Sequence, residues 1–95
     1  MLDAARMRPA PGMDPRELEL LRAAATRFPY GALAFRYAVA LGLNGDPQGA
    51  TKQMALIRGM YGGGYYASVK FDLRQLQAEK YPQLSAVEAL SLIHI

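Results

Sequence analysis

Ninety-five residues with a formal charge of +3 bound the chain to one domain with a modest core. Its eleven cations are spread from Arg6 to Lys80 with no Lys or Arg run, which argues against nucleic acid as a partner. The absence of cysteine excludes a disulfide framework, a thiolate metal site and a cysteine nucleophile.

In chain order, Met1-Leu2-Asp3-Ala4-Ala5-Arg6 lacks the apolar centre of a signal peptide. No segment approaches the roughly 18 uncharged apolar residues of a spanning helix, so no membrane insertion by this chain itself is expected. Residues 1–13 read as a leader or linker, because Arg8-Pro9-Ala10-Pro11-Gly12 cannot sustain a helix. A single helical domain is expected over residues 14–95.

Its first helix, about 15–28, starts at Asp14-Pro15-Arg16-Glu17, a capping residue, a first-turn proline and a capping-box glutamate. Leu18, Leu21, Ala25 and Phe28 form its apolar stripe, and Phe28-Pro29 ends it. The second helix, about 30–43, is apolar nearly all round except for Arg36, which predicts a central position among the others.

Next comes a sharp corner. Asn44-Gly45 can take the left-handed backbone that ends a helix, while Asp46 and Pro47 suit the start of the next. The third helix, about 47–61, carries Ala50, Met54, Ile57 and Tyr61 on one stripe, with Thr51, Lys52, Gln53 and Arg58 largely on the other side. Gly62-Gly63-Gly64 is expected to stop it. A fourth helix, about 66–80, buries Val69, Leu73 and Leu76 and ends at Tyr81-Pro82. Ser85-Ala86-Val87-Glu88 offers a second capping box for a fifth helix, about 85–94. No stretch alternates as a strand would, so the fold class is all-α with antiparallel helix hairpins.

The corner also fits a tetratricopeptide-like packing pattern. Ala38 and Ala50 stand where that pattern wants small residues, and Met54 and Ile57 fill its large apolar positions. The agreement covers one repeat, residues 31–61. The following residues do not continue it, since Asp72 falls where a small residue belongs. A short-looped helix hairpin inside a bundle accounts for the same residues equally well.

Chemistry candidates are few. His94, the only histidine, has no second ligand to share a metal, so neither a metal nor a cofactor is expected. Asp14, Glu17, Asp46 and Glu88 are explained by helix starts, where they stabilise the positive dipole end. The glycine run lacks the lysine and hydroxyl of a phosphate loop. Tyr61, Tyr65 and Tyr66 flank flexible backbone and could stack on a sugar face or a peptide. The plainer reading packs their rings inward with hydroxyls in water. Arg36 and Tyr37 on the central helix are the remaining candidates for a partner or ligand surface. No enzyme site emerges.

Taken together, Arg27-Phe28-Pro29-Tyr30, the helix through Phe35-Arg36-Tyr37-Ala38, Leu41-Gly42-Leu43-Asn44-Gly45-Asp46-Pro47, Ala50 and the Met-rich third helix resemble a known family. It is the soluble C-terminal region of bacterial O-antigen polymerases, shared with O-antigen ligases and protein (pilin) O-oligosaccharyltransferases. The Lys70-Phe71-Asp72 helix and the Tyr81-Pro82 break fit it too, so the resemblance spans roughly residues 14–90.

The resemblance implies a parent glycosyltransferase with many membrane spans, which moves lipid-linked oligosaccharide to a sugar or protein acceptor at the periplasmic side of the inner membrane. Catalytic loops of such enzymes lie in the membrane part, so no catalytic residue carries over. This chain would be a non-catalytic tail domain that docks an acceptor protein, a glycan or a partner, with the leader following the last span. The alternative is a free-standing helical adaptor that binds a peptide or protein in a groove lined by Arg36 and Tyr37.

Overall fold

Among the described residues the computed structural model forms four helices and one 3-10 turn, with no strand. They are α1 (Pro15–Arg27), α2 (Gly31–Leu43), α3 (Pro47–Glu79), the turn Pro82–Leu84 and α4 (Ser85–Ile93). The structure describes residues 8–27 and 31–93, apart from the side chains of residues 31 and 91–93. The expected helix end at Phe28-Pro29, the start at Tyr30 and the lone His94 lie outside the described residues.

The start of α1 is the capping box that its sequence specifies. Asp14 Oδ1 accepts the Arg16 N–H at 2.8 Å, and the Asp14 N–H donates to Glu17 Oε1 at 3.1 Å. Leu21, fully buried, faces the equally buried Ala40 of α2 in a small cluster completed by Met13, Leu18, Leu20 and Tyr37.

The corner closes as a Schellman motif. Gly45 takes φ 86°, and the Asp46 N–H reaches back to the Leu41 carbonyl at 2.9 Å. Asn44 keeps a negative φ, and its side chain is used elsewhere. Its Oδ1 accepts the Met13 N–H at 2.8 Å while Nδ2 donates to the Ala10 carbonyl at 2.9 Å and the Ala40 carbonyl at 2.8 Å. Residues 10–13 are thereby tied to the corner. Asp46 Oδ1 then caps α3 by accepting the Gly49 N–H at 2.9 Å.

The two helices expected over 47–61 and 66–80 are the two arms of α3, which meet at Gly62 with φ 88° and ψ 169°. The break is one residue wide, and Gly63 and Gly64 already belong to the second arm. Each helical glycine costs about 1 kcal/mol relative to alanine. Burial of Tyr66, Val69 and Leu73 immediately downstream offsets that cost. Four helices therefore replace the expected five.

The first arm runs back along α2, so that Ile57 and Gln53 approach Ala34; the second arm returns, so that Val69 and Leu76 meet Phe35 and Val39. The main core joins Ala34, Ala38, Val39 and Leu43 of α2 to Ala50, Met54, Ile57, Val69 and Leu73 of α3 and to Leu84 and Val87. α2 is central, as its apolar circumference predicts. Ala38 and Ala50 are both buried in the hairpin, but the second arm folds back onto α2 rather than opening a second repeat. The likeness to tetratricopeptide packing is thus approximate.

Two local expectations are overturned. Thr51 faces inward: its hydroxyl donates to the Pro47 carbonyl at 2.9 Å and approaches the Val87 carbonyl of α4 at 3.5 Å. Satisfying a hydroxyl within its own turn makes a helical threonine acceptable in a core. Ser85 is in the right-handed helical conformation after the 3-10 turn, so it does not act as a cap. Glu88 turns instead to Arg74 Nε at 2.6 Å, tying α4 to the second arm.

Candidate functional site

The five candidate residues fall into three places. Tyr37 lies in the small α1–α2 cluster, half-buried beside Arg22. Burial pushes its hydroxyl above the usual tyrosine range, with Asp46 and Glu19 adding to the rise and Arg22 opposing it. Tyr66 is buried, 9% exposed, with its ring packed inward. The Arg58 guanidinium lies 5.7 Å and the Lys70 ammonium 5.5 Å from its ring centroid, so its face is occupied by two cations. Because Arg58 belongs to the first arm and Tyr66 to the second, this contact braces the bend.

Arg36, Tyr65 and Tyr61 do come together. Helical spacing puts Ala32, Phe35, Arg36 and Val39 on one side of α2, against Tyr65, Val69, Asp72 and Leu76 of the second arm. Between them, with Pro9 at one edge, is a cleft of about 330 Å³ that contains both Arg36 and Tyr65. Tyr61 sits behind Tyr65, the ring centroids 5.3 Å apart and the planes tilted by 56°. That tilted contact is a favourable aromatic pairing across the bend. Partial burial, then the neighbouring Tyr61 and Asp72, raise the Tyr65 hydroxyl above its ordinary pKa, so it is a neutral hydrogen-bond donor at physiological pH.

The cleft offers a cation, a carboxylate, a phenol and an apolar floor of Phe35, Val39 and Val69. Such a set can hold a polyhydroxyl or peptide segment by stacking and hydrogen bonds. Asp72 is the member that sequence reasoning passed over. In the sequence it stands out only as a mismatch to a repeat pattern, although its spacing of seven residues from Tyr65, two helical turns, places both on one face. Among the described residues no three His, Cys, Asp or Glu side chains converge to hold a metal ion.

The fold and cleft define a class: a small all-α domain of antiparallel helix hairpins, with an open cleft between α2 and the second arm of α3. Comparison with known proteins then gives the family. Residues 1–76 match the family described as virulence factor membrane-bound polymerase, C-terminal, so the chain belongs to that O-antigen polymerase family. The match takes in α1, α2, the corner and most of α3, and it includes every residue lining the cleft. No curated protein and no solved structure matches the chain. Among the described residues no helix is long and apolar enough to cross a membrane.

Proposed function

We propose that this domain is the non-catalytic periplasmic tail of a membrane-bound polymerase and docks the growing glycan or its acceptor in the Arg36–Tyr65 cleft. The observation that carries the reading is the family match over residues 1–76, because a polymerase family supplies the glycan chemistry that the cleft could recognise. The cleft supports it with a stacking ring at Tyr65 and hydrogen-bonding groups at Arg36 and Asp72 over an apolar floor. Catalysis would belong to the membrane part of the parent protein, and this chain would position what that part extends.

The test is made in the membrane-bound parent protein. Tyr65→Ala combined with Arg36→Ala should shorten the glycan polymer or lower its yield while the protein level stays unchanged. Unaltered polymer from the folded double variant rejects the docking role. The periplasmic assignment has its own readout, since the chain contributes no cysteine to the background. A single Ser68→Cys at an exposed position should react with a membrane-impermeant maleimide from the periplasmic face. Labelling only after the inner membrane is opened rejects that side.

A further inference from the structure

Asn44 is the only asparagine in the chain, and a glycine follows it. The backbone nitrogen of the next residue can attack an asparagine side-chain amide, and glycine, lacking a Cβ, obstructs that approach least. Gly45 is exposed, so base and water reach its peptide group, while Asn44 is half-buried. The reaction is open to this pair, and the surrounding structure decides its rate.

Three hydrogen bonds hold the Asn44 amide. Its Oδ1 accepts the Met13 N–H at 2.8 Å, and its Nδ2 donates to the Ala10 carbonyl at 2.9 Å and the Ala40 carbonyl at 2.8 Å. A planar group held through both its oxygen and its nitrogen cannot swing its carbon onto the Gly45 nitrogen until those bonds open. Two of the three partners belong to the leader, residues 10–13. The backbone is fixed as well, with Gly45 at φ 86° and the Asp46 N–H bonded to the Leu41 carbonyl at 2.9 Å. Reaction therefore waits for a local opening, and its rate follows the open fraction.

We infer that Asn44–Gly45 is a deamidation site whose rate is set by the docked leader and whose product lets the leader go. Base removes the Gly45 amide proton, and the nitrogen bonds to Asn44 Cγ. The Cγ–Nδ2 bond breaks, and Nδ2 leaves as ammonia with a proton from solvent. Water then opens the cyclic imide at either carbonyl, giving aspartate or isoaspartate. Aspartate has no donor for the Ala10 and Ala40 carbonyls, and isoaspartate lengthens the backbone through the corner. Pro9, next to the tied residues, edges the Arg36–Tyr65 cleft, so release of the leader also frees that edge. The inference stands whether or not the cleft binds glycan.

The test ages the 95-residue chain in mildly alkaline buffer and follows conversion of the Asn44 amide to acid by peptide mapping with tandem mass spectrometry. The folded chain should react about a hundredfold more slowly than a free peptide of residues 40–50, as opening two to three hydrogen bonds requires. Met13→Pro, which removes one donor and whose helix content is verified by circular dichroism, should react about fivefold faster than the parent. Met13→Ala keeps the N–H and should stay near the parent rate. In the aged parent, hydrogen exchange over residues 10–13 should be faster than in fresh protein. Reaction of the folded chain at the peptide's rate overturns the inference, as does no detectable reaction in Met13→Pro. Equal rates in Met13→Pro and Met13→Ala, or unchanged exchange after ageing, overturn it too.

Discussion

At the scale of single residues, Asn44 does more than its position in a turn suggests. One amide side chain satisfies a donor and an acceptor more than thirty residues earlier and a carbonyl one turn back. Replacing it with alanine strands partly buried backbone groups, a loss of about 1–3 kcal/mol. Asn44→Ala should therefore lower the chemical denaturation midpoint and speed hydrogen exchange at the Met13 amide, with Asn44→Asp in between because it keeps only the acceptor. Tyr37 gives a pH dependence. Its folded pKa is raised above the ordinary tyrosine value of 10.0, so the folded state holds its proton where the unfolded chain gives it up. Its contribution is intact below about pH 10 and is lost as pH rises through the folded pKa. Melting temperatures measured up the alkaline range should fall less steeply in Tyr37→Phe than in the parent.

At the scale of elements, the bend in α3 decides the fold. A triple glycine reads as a stop, yet two of its residues are helical and only Gly62, at φ 88° and ψ 169°, breaks the run. That backbone region is essentially closed to residues with a Cβ. Gly62→Ala should cost about 1–3 kcal/mol, whereas Gly59→Ala, in open space within the first arm, should stabilise by about 0.5–1 kcal/mol. Urea unfolding of the two variants reads the contrast directly. Equal effects would mean that the bend is held by the packing of its arms rather than by the glycine. The Arg58–Tyr66–Lys70 stack and the Tyr61–Tyr65 pair then fix the direction in which the second arm leaves.

At the scale of the whole molecule, everything converges on α2. Its Gly42 packs against α4 and the turn before it: a Cβ there would lie 2.8 Å from Val87 Cγ2 and 2.9 Å from Leu84 Cδ2. Both neighbours are almost fully buried and have little room to move. Gly42→Leu should destabilise by about 3 kcal/mol or more through overpacking, and unfolding monitored by circular dichroism should show a lower, broader transition. An unchanged transition would mean that α4 can dock at more than one position.

The boundary between sequence and tertiary structure runs through particular residues. Local signals were sufficient wherever the chain satisfies its own backbone groups. Asp14 and Glu17 form their reciprocal cap, Asp46 caps α3, and the Ala50, Met54, Ile57 stripe faces inward, because spacing along a helix decides all three. Family membership was legible in the same way, from packing residues around the corner. Contacts between distant segments were not. The burial of Thr51 and Tyr66, the turn of Glu88 from a cap to Arg74, the clamp of Asn44 on Ala10 and Met13, and the meeting of Arg36 with Tyr65 and Asp72 all depend on segments that the fold brings together from afar. By itself the sequence determined an all-α hairpin domain and its family, since periodicity and capping are local. Only the tertiary structure decided which side chains share a cleft, because one positive-φ glycine sets where thirty residues of helix turn back.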